Sequence, residues 1–304
     1  MSSVSSVTVR VPAKVNVQLA VGGRRADGFH DLANVFLAVG LYDLVTAAPA
    51  DELSITAEGR DVEGIPLDPT NLAARAAVAL AARHGLKPDV RLHIAKDIPV
   101  AGGMAGGSAD AAGALLACDA LWGTGASREE LLAICAELGS DVPFSLVGGA
   151  ALGTGRGEVL RPLEVGGTFH WVFAAAAGGL STPAVYGECD RLRREQGAGD
   201  SVADVPVPSA DPALIAALRG GDAHDLAGVL ANDLQAAALS LRPSLRGTLR
   251  AGTEAGALAA IVSGSGPTCA FLAPDADRAA HIASALGPAA RPALSPAPGA
   301  TLLP

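Results

Sequence analysis

Apolar and polar side chains alternate at the beginning of the chain. Valine takes every second position from 7 to 11, and the alternation resumes from Val15 to Val21 after Pro12. A period of two is typical of a half-buried β-strand, so the segment is either one bent strand or a pair of strands. Lys14 and Asn16 lie on the polar face of this predicted strand.

Further along the chain, the pattern changes repeatedly between helical and strand spacing. Helices are predicted at 71–84, 108–122, 127–139, 212–219, 223–239 and 243–255. Strands are predicted at 90–94, 148–163, 170–174, 258–262 and 268–272. Because strands and helices do not alternate strictly, this order predicts an α+β fold.

Length and local composition suggest how these elements are divided. At about 100–200 residues per domain, 304 residues indicate two domains, with one large domain as the alternative. Segment 195–212 is rich in Gly, Asp, Val, Pro and Ser, and we expect a surface loop there. Residues from about 288 onward are rich in Pro and Ala, which predicts a loose tail.

Charge and cysteine spacing exclude several classes of function. The formal net charge is −9, whereas nucleic-acid binding needs a concentrated basic surface, so no nucleic-acid partner is expected. The four cysteines show no Cys-x-x-Cys spacing, which favours reduced, buried thiols over a metal site. The two long uncharged stretches, 165–187 and 255–274, are broken by Gly, Ser, Thr or Pro and read as buried strands. We expect a cytoplasmic protein without membrane contact.

A glycine-rich segment from Pro99 to Ser108 lies between a predicted strand and a predicted helix. Glycines allow close backbone approach to a ligand, and the helix start offers unpaired N–H groups, so the segment suits a phosphate. Ser108 can cap the helix and also reach a phosphate oxygen or Mg²⁺. No lysine precedes Ser108, so this is not the common P-loop, and the dinucleotide spacing Gly-x-Gly-x-x-Gly is absent. A tight turn without a ligand is the alternative.

Three other segments are ambiguous when each is taken alone. For Lys14 and Asn16, a solvated edge strand is favoured over a site. Asp141 fits a helix N-cap. The Ser263-Gly-Ser-Gly-Pro-Thr268 segment fits a plain β-turn.

The order of these segments is more informative, because it resembles the three motifs of the GHMP kinases. The matching segments are Pro12-Ala-Lys-Val-Asn16, Pro99 to Ser108 followed by Ala-Asp-Ala-Ala, and Ser263-Gly-Ser-Gly-Pro267. Two further segments, Arg25-Ala-Asp-Gly-Phe-His30 and Leu138-Gly-Ser-Asp-Val-Pro143, resemble the branch of the family that acts on a methylerythritol carrying cytidine diphosphate. The resemblance covers nearly the whole chain.

This resemblance implies a two-domain GHMP kinase fold. Residues 1–160 are expected to form a nucleotide domain like domain 2 of ribosomal protein S5, and 161–304 a ferredoxin-like substrate-side domain. The implied reaction is phosphorylation of the 2-hydroxyl group of the cytidine-diphosphate-bearing alcohol, with ATP and Mg²⁺, in the non-mevalonate isoprenoid pathway. The implied assembly is a monomer or a weak homodimer.

The resemblance also implies roles for single positions. Lys14 and Asp141 match the catalytic pair, with positive potential also expected from Lys96, Arg24 and Arg25. His30 matches a cytosine-reading position, and Phe29 and Tyr186 match a pair of rings that sandwich the base. The substrate positions are Asn16, Phe29, His30, Phe36 and Tyr186. The nucleotide positions are Asn71, Lys96, Pro99, Ala101, Gly102, Gly103, Met104, Ala105, Gly106, Gly107 and Ser108, of which Ser108 would also assist Mg²⁺.

Two departures from the family pattern stand out. Phe29 replaces a tyrosine found in many relatives, and Ala105 replaces a common glycine. The rival interpretations are another GHMP kinase, such as homoserine or mevalonate kinase, a non-catalytic sensor on the same fold, and a dinucleotide-dependent oxidoreductase.

Overall fold

The structure, a computed structural model, describes residues 6–100 and 102–304, so the predicted nucleotide position Ala101 lies outside the described residues. The strands, in chain order, are β1 Val7–Arg24, β2 His30–Pro49, β3 Ser54–Gly59, β4 Val90–Lys96, β5 Ala150–Thr154, β6 Val159–Pro162, β7 Phe169–Ala174, β8 Ala231–Asn232, β9 Ala259–Val262, β10 Cys269–Ala273, β11 Arg291–Ser295 and β12 Thr301–Leu302. The helices are α1 Leu72–Arg83, α2 Gly106–Trp122, α3 Arg128–Leu138, α4 Val142–Val147, α5 Thr182–Glu195, α6 Pro212–Gly220, α7 Ala223–Ala227, α8 Gln235–Leu241, α9 Leu245–Glu254 and α10 Ala276–Leu286, with a 3₁₀ turn at Val62–Gly64.

The larger sheet is built around the long antiparallel pair of β1 and β2. Its strand order is β12-β1-β2-β4-β3, with β5 added to β2, β6 to β5 and β8 to β1. Helix α2 packs on β1 and β2, and α1 packs on α2, so the core lies between this helical layer and the sheet. Two of its strands, β8 and β12, come from beyond residue 160.

Strand β1 is one bent strand rather than a pair. Its register with β2 shifts between Pro12 and Ala13 and again between Asn16 and Gln18. Bulges of this kind bend a strand and turn its side chains. The polar face predicted for a solvated edge is in fact buried, because Lys14 and Asn16 are only 4% and 1% exposed.

Local capping signals account for two helices of the first half, α1 and α3. Asn71 Oδ1 accepts a hydrogen bond from Ala73 N at 2.8 Å and begins α1. Ser127 Oγ accepts one from Glu130 N at 3.1 Å and begins α3, as the capping box predicts. The expectation that Ser108 caps α2 is wrong, since that helix begins two residues earlier and Ala105 occupies its N-cap.

The second sheet is antiparallel, with order β11-β7-β10-β9. When the four strands of this sheet are numbered in chain order, the strand order is 4-1-3-2. Helices α9 and α10 pack against this sheet. This is the ferredoxin-like arrangement that the resemblance implied. The helix predicted at 223–239 is interrupted, because Asn232 Nδ2 donates to the carbonyls of Val262 and Gly264, each at 2.8 Å, and holds the chain extended there.

The loose tail predicted from about residue 288 is wrong. Strand β11 pairs with β7, and β12 pairs with β1. Between them, Ala297 is buried, and its N–H donates to the Ala38 carbonyl at 2.9 Å. Pro and Ala content indicates weak intrinsic structure, but partners far away in sequence provide the pairing.

No helix in the described ranges is both long enough and apolar enough to cross a bilayer. All four cysteines are buried and free.

Candidate active site

The three sequence motifs meet around one cavity of about 720 Å³. Strand β1 provides its floor, and the turn that joins β1 to β2 forms one end. The glycine segment at the start of α2, the start of α4, the start of α5 and the 263–267 turn provide the remaining walls. Segments that were ambiguous alone therefore face each other across a single space.

Lys14 and Asp141 come together on the wall of this cavity. Lys14 Nζ lies 3.6 Å from Asp141 Oδ2 and donates to Asn16 Oδ1 at 2.6 Å. Burial lowers the pKa of Lys14, and the Asp141 carboxylate opposes that shift. The Asp141 side chain is 31% exposed. Asp141 occupies the N-cap position of α4, but its carboxylate makes no capping hydrogen bond and is left for Lys14 and a ligand.

The glycine segment is fixed by the turn at 263–267. Lys14 Nζ and Ser263 Oγ both donate to the Gly103 carbonyl, at 2.8 Å and 3.1 Å. Gly103 has φ +78°, and a Cβ there would lie 2.2 Å from the Ser263 carbonyl oxygen, so no larger residue fits. Lys14, the glycine segment and the 263–267 turn are thus parts of one hydrogen-bonded unit.

Ala105 adopts the left-handed conformation, with φ 61° and ψ 30°, at the N-cap of α2. An L-residue in this region costs about 1 kcal/mol relative to glycine. The loop therefore keeps the shape that glycine favours, and the backbone N–H groups of Gly106, Gly107 and Ser108 stand at the helix start without partners within the helix. These groups, together with the helix dipole, favour an anion.

Aromatic side chains line the opposite end of the cavity. Phe29 is half exposed, and the Arg156 guanidinium lies 5.2 Å from its ring centre. The rings of His30 and Tyr186 are 5.1 Å apart. Burial, and then the charge of Asp141, raise the pKa of the Tyr186 phenol, so this group stays protonated. Arg24 also lines this end, whereas Arg25 is paired with Asp27 and Asp31 and points its charge away from the cavity lining.

A second, smaller cavity of about 230 Å³ lies beyond the start of α2. Asn71, Lys96 and Asp110 line it, and Gly107 and Leu72 line both cavities. The Oδ1 atom of Asp110 is buried and has no hydrogen-bond partner in the described part of the chain. A nucleotide with its phosphates on the glycine segment can place its base here, where Asp110 offers an acceptor for an N–H group.

Lys96 does not provide the net positive potential expected of it. Its Nζ lies 2.7 Å from Asp110 Oδ2 and also pairs with Asp43, and all three side chains are almost completely buried. Two carboxylates around one ammonium group leave no positive charge for a phosphate. The residues that bring positive charge to the large cavity are Lys14, Arg24 and Arg156.

Besides Arg25, three predicted positions in the described residues are not on the walls of either cavity. Phe36 is fully buried, stacks on Phe144 at 4.8 Å and has Lys14 Nζ 5.9 Å from its ring centre, so it packs behind the site. Met104 is also fully buried and offers only its backbone. Pro99 packs beside Gly102.

Comparison with known families agrees with this geometry. Residues 71–149 match the GHMP kinases N terminal domain, and residues 214–291 match the GHMP kinases C terminal domain. The 4-diphosphocytidyl-2-C-methyl-D-erythritol kinase of Streptomyces avermitilis is 75% identical over 98% of this chain and 100% of its own length. The enzyme of the same name from Mycolicibacterium smegmatis is 55% identical over 98% of this chain and 93% of its own.

The chain belongs to the GHMP kinases, in the 4-diphosphocytidyl-2-C-methyl-D-erythritol kinase family. It is therefore a small-molecule kinase, and a GHMP kinase uses ATP as its phosphoryl donor.

Solved structures support the same family. A crystal structure of 4-(cytidine 5'-diphospho)-2C-methyl-D-erythritol kinase is 31% identical, with a TM-score of 0.75, over 95% of this chain and 99% of that one. Homoserine kinase from Cytophaga hutchinsonii has a TM-score of 0.74 at 18% identity, over 100% of this chain and 99% of that one, which shows the shared GHMP kinase fold alone.

Besides Arg156, sequence patterns missed three polar residues of this GHMP kinase. Asn34 Oδ1 accepts a hydrogen bond from Asn16 Nδ2 at 2.7 Å and completes the row that begins with Lys14. Asp110 lies in the smaller cavity, and Asp190 Oδ1 lies 2.9 Å from His30 Nε2. Only the motif around Asp110 gave a local signal. Asn34 and Asp190 acquire their positions from pairing with distant segments.

Proposed function

We propose that the protein transfers the γ-phosphoryl group of ATP to the 2-hydroxyl group of 4-diphosphocytidyl-2-C-methyl-D-erythritol. The observation that carries this proposal is the position of the Lys14–Asp141 pair. It lies between the glycine segment, which suits phosphates, and the aromatic end of the cavity, which suits a base. A phosphoryl donor and an alcohol acceptor bound at these two ends would meet beside the pair.

The nucleotide would be held mainly by backbone groups. The N–H groups at the start of α2 would bind the phosphates, with Gly102 to Ser108 forming the cradle. The base would occupy the smaller cavity between Asn71, Lys96 and Asp110, where the unpaired Asp110 Oδ1 can accept from an exocyclic amine. Mg²⁺ prefers oxygen ligands, and Ser108 and Asp141 offer a hydroxyl and a carboxylate in the cavity. When bound with the nucleotide, the metal neutralises phosphate charge.

The acceptor substrate would be held at the aromatic end. Phe29 and Tyr186 provide rings for stacking on cytosine, and His30 lies beside Tyr186. The guanidinium groups of Arg24 and Arg156 line the same end and suit the diphosphate of the substrate. Phe29 retains the stacking surface of the usual tyrosine but not its hydroxyl.

Phosphoryl transfer requires mainly positioning and charge stabilisation from the protein. Asp141 would orient the substrate hydroxyl and accept its proton. Lys14, 3.6 Å from Asp141 Oδ2, would stabilise negative charge on the transferring group. The bonds from Lys14 to Asn16 and to the Gly103 carbonyl fix the ammonium group, so little reorganisation is needed during the reaction.

The test is ATP consumption by the purified protein with the cytidine-bearing alcohol, compared with homoserine and mevalonate. We expect turnover with the first alone. Turnover with homoserine or mevalonate instead would identify another GHMP activity, and ATP binding without any turnover would identify a sensor.

Asp141→Asn provides the second arm of the test. We expect kcat to fall by a factor of about 10²–10⁴, with the folded state retained because the Asp141 side chain makes no capping bond. Asp51→Asn is the matched control, since Asp51 is exposed and lies outside the lining of the cavity. A folded Asp141→Asn variant with near-normal turnover would remove Asp141 from the mechanism.

A further inference from the structure

A buried carboxylate behind His30 has no role in the phosphoryl transfer proposed above. Asp190 lies on α5, one turn after Tyr186, and its Oδ1 is 2.9 Å from His30 Nε2. The two side chains are only 6% and 5% exposed. A buried carboxylate is costly unless it receives hydrogen bonds, and in the described residues His30 is the one side chain that bonds to Asp190.

This contact determines which nitrogen of His30 carries the proton. An ionised carboxylate only accepts hydrogen bonds, so Nε2 must donate, and in the neutral ring Nδ1 then keeps its lone pair. Nδ1 has no hydrogen-bond partner within residues 6–100 and 102–304, and His30 is one of the residues that line the large cavity. The nitrogen left for a ligand is therefore an acceptor.

We infer that Asp190 is a positioning residue that holds His30 as the Nε2–H tautomer and thereby selects cytosine over uracil. The inference rests on the proposed function, which places a pyrimidine next to His30. On the base edge of cytosine, the exocyclic N4 amine is the donor, whereas N3 and O2 are acceptors. An acceptor Nδ1 can therefore pair with cytosine only through this amine. Uracil presents a carbonyl oxygen at that place, so two acceptors would face each other.

The kinetic test compares cytidine and uridine forms of the substrate. We expect the wild-type protein to prefer the cytidine form by about a hundredfold in kcat/KM, because the wrong base leaves buried acceptors unpaired. In Asp190→Asn, the amide can donate a hydrogen bond to Nε2. The neutral ring then carries its proton on Nδ1, which is the opposite tautomer. We expect the preference to fall at least tenfold, with the KM for ATP unchanged.

Glu188→Gln is the matched control on the same helix. Glu188 bonds to Arg191 and Ser240 and not to His30, so this variant should keep the wild-type base preference. A folded Asp190→Asn protein that also keeps the wild-type preference would overturn the inference, since a merely structural role for Asp190 would not move this ratio.

A second measurement needs neither a variant nor turnover. ¹⁵N NMR of the His30 ring in the wild-type protein should show Nε2 protonated and Nδ1 unprotonated. The opposite tautomer, or a ring protonated on both nitrogens at neutral pH, would overturn the inference. Failure of the wild-type protein to use either substrate form would overturn the proposed function, and base selection with it. The NMR result would still decide whether Asp190 holds the tautomer.

Discussion

At the scale of the residue, the charges at this site are balanced within a few ångströms. Lys14 faces Asp141, and Lys96 lies between Asp43 and Asp110. Burial raises the pKa of Asp110 from 3.8 to about 7, Lys96 opposes this shift and the charge of Asp43 adds to it. The cluster around Lys96 therefore gains negative charge as the pH rises towards neutrality.

Asp110 should make the stability of the protein depend on pH. An acid with a higher pKa in the folded state binds more protons there, so the free energy of unfolding falls as the pH rises from about 4 to about 7. We expect Asp110→Asn to remove this decline, which is on the order of 3 kcal/mol between pH 5 and pH 8. Urea unfolding between pH 5 and pH 8 measures it. Asp51→Asn, at an exposed position, should keep the wild-type decline. An equal decline in Asp110→Asn would contradict the assignment.

At the scale of the element, segment 195–212 supports the substrate end of the site. Arg24 N donates to the Asp200 carbonyl at 2.6 Å, and Gln18 Nε2 donates to the Ser209 carbonyl at 2.9 Å. Arg193, near the end of α5, donates to the Gly22 carbonyl at 3.0 Å. The segment thus packs along the far part of β1 and holds the turn that presents Phe29 and His30.

Gly23→Ala should disturb this support. A Cβ at Gly23 would lie 2.1 Å from the Ser201 carbonyl oxygen, so segment 195–212 and strand β1 must separate in this variant. We expect the KM for the cytidine-bearing substrate to rise about tenfold or more, because small displacements of positioning residues are costly. The KM for ATP should stay unchanged, since the glycine segment is at the other end of the cavity.

Gly247→Ala is the control for Gly23→Ala, because nothing lies within 4 Å of a Cβ at that position. Both variants are compared by steady-state kinetics with each substrate varied in turn. An equal rise in both KM values for Gly23→Ala would indicate general distortion rather than support of the substrate end.

The sequence predicted an element correctly where the residues that determine it lie close together in the chain. Capping residues and apolar spacing predicted α1 and α3, and the motif order predicted which segments share the site. It left β1 open between one strand and two, because bulges depend on the partner strand. The contact of His30 with Asp190 had no signal, since the two residues are 160 positions apart. The prediction of a loose tail was wrong for the same reason, because the tail is ordered by pairing with β1 and β7.

At the scale of the whole molecule, the last part of the chain joins the two sheets behind Lys14 and Asp141. Both guanidinium nitrogens of Arg291, on β11, pair with the Asp97 carboxylate after β4. Ala297 packs with Phe36 and Phe144, and Ala300 N donates to the Ser145 carbonyl at 3.1 Å. These contacts support α4, the helix that begins at Asp141.

A chain that ends at Ser295 should therefore lose stability and activity together. Each lost backbone hydrogen bond costs about 1 kcal/mol, and the Phe36–Phe144 pair becomes exposed. We expect a lower urea midpoint and a lower kcat, because α4 would no longer be held. A chain that ends at Ala300 is the control, since it keeps the contacts with α4 and loses only β12. Unchanged kcat in the shorter chain would show that α4 holds its position alone.

The pairing of β1 with β12 also has a consequence for synthesis in the cell. Val9 is synthesised almost 300 residues before its partner Leu302. Strand β8, the other neighbour of β1, is also made late. Until then, the strand that carries Lys14 has an open edge, which other chains can pair with. The nascent chain therefore exposes this edge of β1 until the later strands are made, and pairing of the edge with another chain would lead to aggregation.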